Sequence, residues 1–274
     1  MKYCVEDYVN LSTEFKELVD EITIYYQNMV TPELIEFLDS NRHRRVNLFI
    51  AEEEEFFKKN QYKAIAAIYE EQKYNVSLLF NSYDEEKYTE YLSQKRIPFF
   101  YKDNINNWDT LVGMLELGVS DVYIVEDLGF NIINVAERVH SYNAQVRVFP
   151  NVAQSAWKNT PAIKKFFIRP EDMPLYEGLI DVCEFFGKSK DFSVYYKIYA
   201  IDKKWFGLLD EIIIGFDGEL DSRYLIPGFG KQRIKCEKKC MKTQKCKTCE
   251  IVENLSHSLE KSGLIVKQDI KKEK

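Results

Sequence analysis

Apolar and polar positions along this chain follow two alternating periods. Short runs dense in β-branched and aromatic residues recur: ITIYY from Ile22, VNLFIA from Val46, VSLLF from Val76, IPFFY from Ile97, DVYIV from Asp121, VRVFP from Val146, KFFIR from Lys165 and VYYKIYA from Val194. Near-continuous apolar runs of this length predict strands of a parallel sheet covered on both faces. Their starts lie about 20–30 residues apart, the repeat of one strand, one crossover helix and two loops.

Between the runs the period lengthens to that of a helix. TPELIEFLDS offers Thr31 as N-cap, with Pro32 and Glu33 in the first turn. NNWDTLVGMLELG ends on Gly118, a natural helix terminator. RPEDMPLYEGLIDVCEFFG carries Pro170 and two acids near its start and Gly187 at its end, and reads as another helix. Eight such units predict a (β/α)8 TIM-type barrel over residues 1–204, with a doubly wound open sheet as the alternative. Residues 205–274 read as a C-terminal extension packed on the barrel, ending in a basic tail.

Composition narrows the function classes. The 274 residues are 45% hydrophobic and 14% aromatic, enough for a large core, and the net charge of −6 argues against a nucleic-acid binder over its whole surface. No apolar run is long enough to span a bilayer. The first residues, MKYCVEDYVNLSTEFKEL, place acids where a secretory signal needs an apolar core. The expectation is a cytoplasmic protein without membrane partners, in which thiols stay reduced and clustered cysteines bind metal.

In a parallel barrel the working residues follow the C-terminal ends of the strands. Three segments stand out there. YIVEDLGF places Glu126 and Asp127 at a strand end; VRVFPNVAQS projects Arg147, then Asn151 and Gln154; FFIRPED brings Arg169 and Glu171. Arginine forks at Arg147 or Arg169 suit a carboxylate or phosphate, with Asn151 and Gln154 as further substrate contacts. Glu126, Asp127 and Glu171 are the candidate acid–base groups. A purely structural ion pair of Arg169 with Glu126 or Asp127 fits the same pattern. No P-loop, GxGxxG turn after the first strand or Ser–His or Cys–His dyad is legible.

Near the end, RIKCEKKCMKTQKCKTCE sets Cys236, Cys240, Cys246 and Cys249 at C-x3-C-x5-C-x2-C spacing among lysines. The final C-x2-C is a good zinc half-site, but the middle gap is short for a ribbon of two knuckles. A [4Fe–4S] cluster also takes four thiolates and accepts compact loops, and the lysines favour thiolates in either case. The same lysines form a patch suited to RNA phosphate or to a protein partner. Cys4 and Cys183 read as ordinary small core residues, Cys183 on a helix.

LELGVSDVYIVEDLGF, the later VRVFPN and the cysteine group after the barrel resemble the collagenase-like peptidase family over roughly residues 111–249. The resemblance implies a (β/α)8-type fold. It also implies a peptidase or, as in iron–sulfur members of that family, a protein assisting hydroxylation of ubiquinone precursors or RNA bases. The expected function is thus an iron–sulfur barrel protein modifying RNA or a small aromatic substrate. The alternatives are a metal-dependent hydrolase and a non-catalytic interaction protein with structural zinc.

Overall fold

The computed structural model describes residues 1–6, 11–27, 29–81, 97–102, 105, 107–124, 131–153, 165–186, 192–216, 220–222, 225, 228–235, 254, 258 and 261–262. Eight parallel strands close into a barrel in strict sequence order: β1 (Lys2–Val5), β2 (Glu21–Tyr25), β3 (Arg45–Ile50), β4 (Val76–Phe80), β5 (Phe99–Tyr101), β6 (Asp121–Tyr123), β7 (Gln145–Val148) and β8 (Val182–Glu184). β8 closes on β1 with Lys2 opposite Val182 and Cys4 opposite Glu184. The fold is a (β/α)8 barrel.

Two of the predicted helix ends, at Thr31 and Gly118, are where local chemistry puts them. Thr31 caps the helix Pro32–Ser40 by accepting from the Leu34 amide at 3.2 Å, and Asn107 caps Trp108–Glu116 through the Thr110 amide at 2.7 Å. Gly118 ends the latter with φ of 84°, a left-handed conformation that a side chain would strain.

Two of the eight predicted strands are not in the barrel, and two barrel strands went unpredicted. VYYKIYA is helical, an α-turn over Phe192–Tyr196 running into a π-helical turn over Lys197–Asp202. Its buried residues Tyr195, Tyr196, Ile198 and Tyr199 fall on one helical face, so the apolar run is a helix stripe. KFFIR leads into a 3-10 turn at Pro170–Tyr176; its Phe167 packs edge-on to Phe216 at 5.2 Å and stacks on Phe229 at 6.1 Å. In their place stand β1 and β8, four and three residues long. The segment read as the helix LIDVCEFF contains β8, so Cys183 is a buried strand residue. Runs this short carry too few positions for a period to show.

The chain forms two compact units. One comprises Met1–Ile124, Ala136–Val148 and Ile180–Glu184 and contains the whole barrel; the other comprises Val125–Val135, Phe149–Leu179 and Phe185–Lys274. No helix among the described residues is long and apolar enough to cross a membrane.

Alternation decides which side chains face the barrel axis. Ile22, Val46, Leu48, Ile50, Leu78, Val122, Val146 and Val148 are buried apolar positions, and polar residues alternate with most of them, Phe49 being an apolar exception. Glu21, Thr23, Asn47, Ser77, Asp121, Arg147 and Glu184 are all buried, and hydrogen bonds and ion pairs link them into one network. A lumen of this kind differs from the branched-aliphatic filling usual in such barrels. Polar groups on this scale are stable in the interior only when paired.

Candidate active site at the barrel mouth

The network is organised around Arg147, which is completely buried at the second inward position of β7. Its Nε donates to Asp121 Oδ1 at 2.7 Å, and its Nη2 donates to Glu21 Oε2. Asp121 is also held by Arg45, which donates through Nη1 at 3.0 Å and Nη2 at 2.6 Å. Ser120 Oγ adds a donor at 2.7 Å. Both guanidiniums lie over the ring of Phe100, Arg147 at 4.5 Å and Arg45 at 5.3 Å. These contacts form the floor of the lumen, at the N-terminal ends of the strands.

Towards the C-terminal ends the supply of positive charge thins. Glu184, the last residue of β8, is completely buried. Its Oε2 accepts the Tyr123 hydroxyl at 2.5 Å and lies 3.5 Å from Arg147 Nη1. Among the described residues neither that Nη1 nor Glu184 Oε1 has a hydrogen-bond partner, although both are buried. Above them Lys102, directly after β5, donates to Glu6, directly after β1, at 2.5 Å. The Lys102 ammonium lies 5.4 Å from the ring centre of Phe49, and Phe49 meets Tyr25 edge-on at 5.1 Å. Tyr25 is 68% exposed, so the mouth has an aromatic rim open to solvent.

Charge and burial sort these groups into opposite roles. Burial alone would raise the pKa of Asp121, but the Arg45 and Arg147 guanidiniums outweigh it and hold that carboxyl well below its ordinary 3.8. Burial dominates at Glu184, where Arg147 and the Tyr123 hydroxyl offset it only in part, and its pKa is raised above 4.5. Tyr123 is pushed well up by burial and by the neighbouring Glu184, so the phenol keeps its proton. Burial works against the Lys102 ammonium, but Glu6 and then Glu184 outweigh it and hold the lysine in its charged form. Cys4, on the lumen side of β1, is pushed well up by burial and Glu184, which leaves a neutral thiol rather than a nucleophile.

The arrangement therefore offers a carboxylic acid that holds its proton unusually long, a phenolic donor beside it, and a lysine cation at the rim. Two groups whose surroundings push their pKa values apart are the hallmark of assigned acid–base roles.

The residues expected from the sequence are distributed differently. Arg147 sits inside the lumen as the hub of ion pairs. Asn151, Arg169 and Glu171 belong to the second unit. There Asn151 pairs with the backbone of Phe186, donating to its oxygen at 2.7 Å and accepting from its nitrogen at 3.1 Å. Arg169 grips Asp172 through two bonds, at 2.7 and 2.9 Å, and Glu171 Oε1 accepts from Ser222 Oγ at 2.7 Å. Glu126, Asp127, Gln154 and the four cysteines Cys236, Cys240, Cys246 and Cys249 lie outside the described residues. Among the described residues no group of three or more side chains is arranged to hold a metal ion.

Glu184, Tyr123 and Glu6 were not anticipated as site residues. The signal was present: Glu21-x-Thr23, Arg45-x-Asn47, Asp121-x-Tyr123 and Gln145-x-Arg147 alternate with buried aliphatics, a period-2 polar stripe that marks an inward face. Glu184 was hidden because its strand was read as a helix.

No protein-family model matches the chain, and no curated protein matches it in sequence. Among solved structures the chain is similar to that of the U32 peptidase Mk0906, at 9% identity and a TM-score of 0.43, over 69% of this chain and 94% of that one. A likeness at that level carries no argument about family or activity.

Proposed function

We propose that this chain is a barrel enzyme whose acid–base centre lies at the C-terminal mouth. Glu184 gives up a proton to a substrate oxygen or nitrogen, Tyr123 holds that carboxyl in place, and Lys102 anchors a negative group of the substrate after leaving Glu6. The observation that carries the reading is the buried Oε1 of a carboxyl with a raised pKa, without a hydrogen-bond partner among the described residues, at the working end of a parallel barrel. Such a group is expensive to keep unless it serves a purpose.

The spacing of Cys236, Cys240, Cys246 and Cys249 supports a second component, a metal site in the C-terminal segment. In this reading the four thiolates hold a [4Fe–4S] cluster, which when bound supplies electron transfer for modification of RNA or a small aromatic substrate. Zinc in the same ligands would instead make the segment a structural staple, and a hydrolase or a docking protein the better description.

Two experiments test this. Turnover measured over peptide, ester, nucleoside and RNA substrates is expected to be lost in Glu184→Gln with the fold intact; turnover undiminished in that variant overturns the acid–base reading. Iron and sulfide analysis on protein purified without oxygen is expected to give about four of each per chain, the stoichiometry of one such cluster, lost in Cys246→Ala. Zinc without colour overturns the redox component and leaves the mouth untouched.

A further inference from the structure

The lumen carries an uneven charge count. Arg45 and Arg147 are the two guanidiniums in its buried network, and they face three buried carboxyl groups, Glu21, Asp121 and Glu184. Two ammonium groups stand at the ends. Lys2 is half exposed and reaches Glu21 Oε1 at 3.6 Å, while Lys102 is engaged by Glu6. Among the described residues Glu21 therefore has Lys2, Arg147 and, at 4.0 Å, Arg45; Asp121 has Arg45 and Arg147; Glu184 has the far edge of Arg147, with Lys102 a weaker influence from the rim.

From this distribution the geometry points to Asp121 and Arg45 as positioning residues for Glu184. By fixing the Nε edge of Arg147 towards the floor, Asp121 leaves Glu184 facing a single guanidinium nitrogen that makes no hydrogen bond to it. Arg45 tunes that hold, because each bond it makes to Asp121 shares the carboxylate between two cations. The inference rests on the reading of Glu184 as the acid of the mouth. It adds that the acid is set from the opposite end of the barrel, through one arginine.

The groups that face Glu184 bound the argument from every side. They are Cys4 and Glu6 from β1 and its exit, Lys102 after β5, Tyr123 on β6 and Arg147 on β7. Of these only Arg147 is both cationic and bonded to the floor. A change at Asp121 therefore reaches Glu184 through the Arg147 guanidinium as well as through the lost charge itself, and both act in the same direction. With Asp121 neutral, Arg147 serves Glu184 more fully and the carboxylate form gains. With Arg45 neutral, Asp121 draws harder on Arg147 and the carboxylate form loses.

The test is infrared titration of the carboxyl band of Glu184, identified by its absence in Glu184→Gln, on the full chain. In Asp121→Asn the midpoint is expected to fall by about one pH unit or more, the usual effect of an opposite charge brought into play. In Arg45→Gln it is expected to rise. Glu184 acts in its protonated form, so the alkaline limb of any pH–rate profile should move in the same two directions, which a merely structural role would not produce.

An unchanged or raised midpoint in folded Asp121→Asn overturns the inference, and if that variant does not fold, an unchanged or lowered midpoint in Arg45→Gln does so. A wild-type protein whose Glu184 band titrates at or below the ordinary carboxyl range overturns instead the underlying reading of the acid.

Discussion

Tyr123 and Glu184 meet across the barrel lumen with the phenolic oxygen 2.5 Å from Oε2, although they stand 61 residues apart and on strands separated by β7. The hydroxyl is the only hydrogen-bond donor recorded for that carboxyl among the described residues. Tyr123→Phe therefore leaves both Glu184 oxygens buried without a hydrogen bond. The expected loss is about 1–3 kcal/mol of stability, with a further rise in the Glu184 midpoint, read by chemical denaturation and infrared titration.

Glu184→Gln should reverse the usual sense of a buried-site mutation as pH climbs. The folded-state pKa of Glu184 is raised above 4.5, so the folded state binds the proton more tightly than the unfolded chain. Its contribution to stability is fully present below 4.5 and is lost as pH rises through the folded value. Denaturation curves from pH 4 to pH 8 (about the range that brackets a carboxyl raised by burial) should show the wild type losing ground to the glutamine variant with increasing pH. A constant difference would contradict the assignment.

Asp121 has the opposite linkage. Its folded pKa lies well below 3.8, so its ion pairs stabilise the protein above that value, and the contribution is lost as pH falls towards the folded value. Asp121→Ala removes the carboxylate that the buried Arg147 and the nearly buried Arg45 share, and should cost about 3–5 kcal/mol at neutral pH. The difference from wild type should shrink steadily in acid, measured as unfolding free energy below pH 4 (about where unfolded aspartate begins to protonate).

Gly230 gives a test in the second unit that is independent of the lumen. A Cβ built there would lie 2.4 Å from Asp172 Cγ, and Asp172 cannot swing aside because Arg169 holds both its oxygens. Gly230→Ala should destabilise by about 1–3 kcal/mol through overpacking, seen as a lower melting temperature. Gly178→Ala, where φ of 81° is strained but nothing lies within 4 Å, separates the steric from the backbone effect.

Much of the fold was legible because it is written locally. Thr31, Asn107 and Gly118 act on their own helix ends, and the runs at Ile22, Val46, Val76, Ile97, Asp121 and Val146 each lead to a barrel strand. KFFIR and VYYKIYA misled because an apolar run is buried equally well by a sheet or by a helix stripe. Only partners elsewhere in the chain decide between them.

The sequence alone determined the repeat of strand and helix, the caps, and the polar stripe inside the strands, since each depends on neighbours a few residues away. Barrel closure was decided by tertiary structure, because pairing β8 with β1 joins segments nearly the length of the barrel apart. The site was decided there too. Arg147 reads as a substrate anchor until Glu21, Asp121 and Glu184 surround it, and Glu184 is one position in an apparent helix until burial and Tyr123 give it its chemistry. A charge has no fixed role along a chain; its surroundings in the folded lumen, low in water and short of cations, give it one.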